Sequence, residues 1–166
     1  MLAGMSTETP RHTPSYTIVP VAERQAYWIG GQRQAVIASA AETGKRYALS
    51  HSTIAVGGGA AEHHHSREAE AFYVISGRIR FSLEGREVIL NKGDFLHAEP
   101  GLKYSFEVLP PETCEVLILY APGGLERFIA EAGIAAADGE ARSIAEAQQV
   151  FDAAPAYGVN YTASKK

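Results

Sequence analysis

A chain of 166 residues is long enough to bury a substantial core in one domain, and 46% hydrophobic with 20% charged residues is an ordinary globular balance. The net charge of −4, with no basic run interleaved with aromatics, argues against nucleic acid or an anionic membrane surface as partner. No segment approaches the length of a transmembrane helix, no apolar stretch near the start marks a secretory signal, and the single cysteine excludes an internal disulfide or a thiolate-rich zinc site. A cytoplasmic location is the expectation.

Residues 1–14, polar and proline-bearing, read as a disordered leader in which His12 needs no role. The β-type runs "YTIVP" and "QAVIASA" follow, separated by the turn signal Gly30-Gly31. "RYALSHSTIAV" is rich in β-branched and aromatic residues and ends at Gly57 to Gly59. "EAFYVISG" and "RIRFSLEG" continue the strand pattern, with Glu84-Gly85 as a hairpin tip. "REVIL", "DFLHA", "YSFEV" and "CEVLILY" come next in quick succession, broken by Asn91 to Gly93, Pro100-Gly101 and Pro110-Pro111. Short strands this close together predict an all-β sandwich or barrel over residues 15–122. Cys114 lies in an apolar run and reads as an inert core thiol.

After Pro122 the composition shifts, and residues 123–166 are expected to form a helical appendage packed on the barrel. In "LERFIAEAGI" the residues Leu125, Phe128 and Ile129 fall on one helical face. "SIAEAQQVFDAA" has the same character, with Ser143 and Glu146 spaced as a capping box.

The chemistry concentrates in "EHHHSREAE", residues 62–70. On an extended segment alternate side chains share a face, so His63 and His65 project together while His64 points away. Neutral imidazole is a good ligand for iron, nickel, copper or zinc, and Glu70 can reach the same space after a short bend. Two histidines and one carboxylate with open positions suit ferrous oxygen chemistry. Glycines 57–59 let the chain turn sharply into this segment, and no Lys-Ser or Lys-Thr follows to make them a phosphate loop.

Gly57, His63, His65, Glu70 and Gly77, at their spacings, match the first motif of the cupin superfamily. The second motif is present as Gly93-Asp94, Pro100-Gly101 and Tyr104-Ser105-Phe106. Within the superfamily, "HHHSREAEAFYVISG", "APGGLERFIAEAG" and the late "YGVNY" resemble the small single-domain cupins grouped with quercetin 2,3-dioxygenase, over roughly residues 16–160. The resemblance implies a double-stranded β-helix, a jelly-roll barrel with short C-terminal helices and a metal in its mouth. It implies one divalent transition metal (Fe, Ni, Mn, Co, Cu or Zn) held by His63, His65 and Glu70. It also implies a homodimer, for which exposed sheet edges give a physical reason.

Where the family usually carries a fourth histidine this chain has Tyr104, which would either ligate as phenolate or hydrogen-bond a bound species. His97 is a candidate for a supporting or pocket-lining role, His51 is another, and Phe95 and Phe106 are candidates for an aromatic-lined cavity. Glu68 could support a ligand histidine from behind. Three functions follow. The first is a quercetinase-like dioxygenase acting on a flavonol or other phenolic small molecule, with Glu70 and Tyr104 as catalytic residues. The second is a metal-dependent isomerase, decarboxylase or cyclase. The third is a non-enzymic small-molecule-binding module with an incomplete metal site.

Overall fold

The computed structural model describes residues 15–136 and 147–162. The expected leader and the capping box of Ser143 and Glu146 lie outside the described residues. Two antiparallel sheets, built from short strands that alternate inward and outward side chains, pack into a jelly roll.

The first hairpin pairs β1 (Ala26–Ile29) with β2 (Gln32–Ala38) across Gly30-Gly31. Both glycines take positive φ, 55° and 78°, the pair of left-handed residues that matches the twist of a two-residue hairpin. The turn signal was therefore legible, but its upstream strand is Ala26–Ile29 and not "YTIVP". Residues 15–20 form no strand: Tyr16 is 88% exposed and Ile18 76%, so their β-propensity finds no partner to pack against. A one-turn helix, α1 (Ala40–Thr43), follows, opened by a capping box between Ser39 and Glu42.

The remaining strands are β3 (Ala48–Ile54), β4 (Gly59–His65), β5 (Ala69–Ser76), β6 (Arg78–Leu83), β7 (Arg86–Asn91), β8 (Phe95–Ala98), β9 (Tyr104–Val108) and β10 (Cys114–Ala121). Helix α2 (Glu126–Ala132), the short β11 (Ile134–Ala135), α3 (Ala147–Ala153) and β12 (Val159–Tyr161) close the chain. One sheet has the order β11-β1-β2-β3-β10-β5-β8 and the other β12-β4-β9-β6-β7. Glu84-Gly85 forms the tip between β6 and β7, as its sequence indicates, with φ of 48° and 85°.

Between the sheets, Phe72, Phe81 and Phe106 stack edge-on or tilted at 5.1 to 6.1 Å, flanked by Val74, Ile79, Val108 and Val116. Full burial of each such side chain stabilises by about 2–3 kcal/mol. Cys114 is buried in this core. The face of α2 marked out by Leu125, Phe128 and Ile129 is buried too, as the helical spacing predicted.

Two glycines allow close backbone approaches. A Cβ on Gly59 would stand 1.8 Å from the Phe106 carbonyl oxygen, so only glycine lets β4 start against β9. Gly77, at φ 79°, passes over Cys114, where a Cβ would lie 2.7 Å from its Cα. The β4–β9 register shifts between Ala60 and His63, and that irregularity sets His63 directly opposite Tyr104.

Candidate metal centre

Within β4, His63 and His65 are buried and His64 lies on the other face, as alternation requires. Glu70 comes from β5 in the other sheet, where it shares the inward face with Phe72 and Val74. The site therefore sits where the chain crosses between sheets. That crossing is pinned by Ser66, whose backbone N–H donates to the Gly158 carbonyl at 2.8 Å, and by the Gly101 N–H, which donates to the His65 carbonyl at 2.7 Å.

One donor atom from each of His63, His65 and Glu70 lies within 4.8 Å of the others, the spacing of groups that can share one ion. His63 Nδ1 lies 2.8 Å from the Ala61 carbonyl, so this nitrogen carries the proton and Nε2 keeps its lone pair. His65 Nε2 stands 3.3 Å from Glu70 Oε2. Behind it, His65 Nδ1 is 4.0 Å from Glu68 Oε2, too far for a hydrogen bond.

The fit to a cation can be judged from the polar atoms themselves. Glu70 Oε2, His65 Nδ1 and Glu68 Oε2 are buried and make no hydrogen bond to the protein. Leaving such groups unsatisfied costs about 1–3 kcal/mol each, and a divalent ion removes that cost for the ligating oxygen. Burial lowers both histidines, His65 to about 3 with the neighbouring histidines adding to the effect. Burial also holds Glu70 well above the usual carboxylate range, and the Glu68 charge pushes the same way. Neutral imidazole is the form a metal needs, and a cation beside Glu70 would restore its ionised form. The residues present fit a divalent transition metal.

Around this triad lies a cavity of about 330 Å³, lined by Phe72, Tyr104, Phe106, Ile118, Phe128 and Tyr161. Tyr104 is 2% exposed, with its ring 4.6 Å from that of His63. Phe106 lines the cavity as its sequence position suggested.

Three other candidates stand elsewhere. Phe95 is 63% exposed, and His97 is exposed and paired with Glu99 at 3.1 Å. The reason is register: β8 pairs with β5 so that Leu96 faces Phe72 and Ala98 faces Glu70, which turns Phe95 and His97 outward. His51 likewise sits on the outward face of β3, 3.6 Å from Glu115 on β10. None of these three lines the cavity.

Other residues at the cavity were not candidates from the sequence. Strand β12 is only three residues long, but it pairs with β4 in a register that sets Tyr161 opposite His63, ring to ring at 5.3 Å. Tyr120, opposite Glu70 across the β5–β10 ladder, and Gln32 and Gln34 on β2 complete the lining. Their one available signal was the alternation of "QRQ" at 32–34, which marks both glutamines as sharing a face.

A family model described as a cupin domain matches residues 50–120, the stretch that contains the triad and Tyr104. The chain carries a cupin domain. Over 127 residues, 76% of its length, this cupin is 28% identical to the quercetin 2,3-dioxygenase of Bacillus subtilis, and it spans 37% of that relative. Among solved structures it is similar to Bacillus subtilis oxalate decarboxylase, studied for its Mn(II) centres, with a TM-score of 0.57 and 22% identity over 68% of this chain and 31% of the other. It is also similar to the polyketide cyclase RemF of Streptomyces resistomycificus, with a TM-score of 0.55 and 20% identity over 64% of this cupin and 80% of the cyclase. The two structural likenesses establish the fold. Among the described residues, no helix of this cupin is long and apolar enough to cross a membrane.

Proposed function

We propose that this cupin is a mononuclear metal-dependent dioxygenase of quercetinase-like type, acting on a flavonol or a related phenolic or enolic small molecule. The observation that carries the reading is the buried triad of His63, His65 and Glu70 facing a half-open, largely apolar cavity. Similarity to a quercetin 2,3-dioxygenase supports the substrate class. The ion would be held by His63, His65 and a Glu70 oxygen, and when bound it supplies Lewis-acid polarisation of a substrate oxygen.

The chain's own groups do the rest. Phe72, Phe106 and Phe128 keep water from the reacting atoms and give a flat ring apolar walls. The Glu70 carboxylate, ionised beside the ion, receives the proton of the substrate hydroxyl on the oxygen that is not a ligand. The Tyr104 phenol, across the ladder from His63, donates a hydrogen bond to a bound oxygen and fixes its orientation.

A second reading keeps the triad and removes oxygen from the reaction, as in a decarboxylase, isomerase or cyclase. It is favoured by the position of Glu70, where a proton can be taken and returned without an oxidant. The homodimer belongs to the same proposal. Phe95 and Tyr73, cross-strand partners at the β8 edge, are both exposed and offer an apolar patch for a second copy.

The test is oxygen uptake by protein loaded anaerobically with Fe, Ni, Co or Mn and offered a panel of flavonols. Uptake with ring cleavage supports the dioxygenase. No uptake with any metal, together with turnover of an enolisable substrate under strict anaerobiosis, replaces it by the second reading.

A further inference from the structure

The inner face of a jelly roll is expected to be apolar, yet part of this one is not. Gln32 and Gln34 on β2, Ser50 and Ser52 on β3 and Tyr120 on β10 all point inward and are all buried. Amides moved out of water cost about 1–3 kcal/mol each unless their hydrogen bonds are replaced, so the destination of each bond decides what the row does.

Gln32 is satisfied at both ends. Its Oε1 accepts from Ser52 Oγ at 3.0 Å, and its Nε2 donates to the Gly59 carbonyl at 3.2 Å. That residue ties β2 to β3 and to the start of β4, a structural task.

Gln34 is satisfied at one end. Its Oε1 accepts from Tyr120 Oη at 3.2 Å and from Ser50 Oγ at 3.5 Å. Its Nε2 has no protein acceptor among the described residues, although Gln34 is only 7% exposed and lines the same cavity as the triad. The Tyr120 phenol, itself buried, is the donor in that contact.

We propose that Gln34 is a substrate-recognition residue, whose Nε2 donates to an acceptor oxygen on the ligand remote from the oxygen bound at the triad. Tyr120 and Ser50 are positioning residues that act through the amide, holding its oxygen so that its nitrogen faces the cavity. The ligand class that follows is a flat, mostly apolar ring system with two separated oxygens, one for the triad and one for Gln34. A site built to donate to a ligand oxygen discriminates against the analogue that lacks it, because the buried amide is then left unpaired. The inference rests on the proposed metal centre and refines its substrate class.

The experiment measures anaerobic binding of quercetin and of 3-hydroxyflavone, which lacks the remote hydroxyls, to Co(II)-loaded protein by optical titration, with metal content determined for each sample. The wild type should prefer quercetin. Gln34→Leu should keep its metal and lose about tenfold in quercetin affinity, the value of one buried neutral hydrogen bond, with little change for 3-hydroxyflavone. Gln34→Met, close in shape and without the donor, should lose the preference as well, and it stands in if the leucine variant fails to fold. Tyr120→Phe, which frees the amide to rotate, should narrow the preference in part while metal content stays constant. Variants that bind metal and retain the full quercetin preference overturn the inference alone. A wild type that takes up no metal overturns the proposed centre and this inference with it.

Discussion

Tyr104 faces His63 directly across the β4–β9 ladder, with the two rings 4.6 Å apart, so a phenol packs against the first histidine of the triad. A histidine at 104 would start from the same backbone position and add a neutral nitrogen donor. Tyr104→His should therefore tighten metal binding by about tenfold or more, measured by competition with a chelator. Tyr104→Phe should leave metal affinity within about twofold and lower turnover by about tenfold, since it removes a hydrogen bond to substrate and no ligand. A large loss of metal in Tyr104→Phe would show that the phenol ligates.

Metal should stabilise the fold, because the triad is assembled only in the folded chain. Free metal at about a thousand times Kd adds about 4 kcal/mol, which is a rise in Tm of about 8–16 °C for a protein of this size. Chelator should remove the rise, and His63→Ala combined with His65→Ala should show none. Thermal denaturation with and without Mn(II), for the wild type and the double variant, gives the comparison.

Gly59 and Gly85 separate steric contact from backbone strain. Gly59→Ala would drive a Cβ to 1.8 Å from the Phe106 carbonyl and push β4 off β9, at a cost of about 3 kcal/mol or more. Gly85 has φ of 85° at an open hairpin tip, where alanine meets no atom within 4 Å. Its substitution should cost about 1–2 kcal/mol through strain alone. Denaturant midpoints should rank the two in that order, and only Gly59→Ala should also weaken metal binding, since β4 carries His63 and His65.

Burial pushes the Cys114 thiol up to about 11, with Glu112 and Glu115 adding to the effect. A raised thiol pKa favours the protonated form, so at pH 8 about one thiol in a thousand is ionised. Iodoacetamide at pH 8 should leave the native protein unmodified and label the unfolded chain within minutes, as mass spectrometry would show. Alkylation of the native protein at a rate near that of a free thiol would contradict the packing around Cys114.

Legibility in the sequence followed from how much each element depends on itself. Strands β3, β6 and β10 alternate over six to eight residues, so their inward faces could be read in isolation. The histidine pair was legible for the same reason, because alternation alone puts His63 and His65 on one face. Phe95 and His97 were not, because the face of four-residue β8 is set by its pairing with β5. "YTIVP" has strand composition and no neighbour, and composition without a neighbour makes no strand. Tyr161 shows the opposite case, a short segment made into a strand entirely by β4. Gln34 looks like any surface glutamine until Tyr120, eighty-six residues away, is seen donating to it.

The central claim is that His63, His65 and Glu70 hold one metal ion in the barrel. It is tested most directly by anomalous diffraction from crystals grown with Mn(II), recorded on both sides of the manganese absorption edge. The account predicts one strong peak per chain, within about 2.3 Å of a nitrogen of each histidine and an oxygen of Glu70. No peak at the triad, or a peak of equal height in crystals of the His63→Ala, His65→Ala variant, would contradict it.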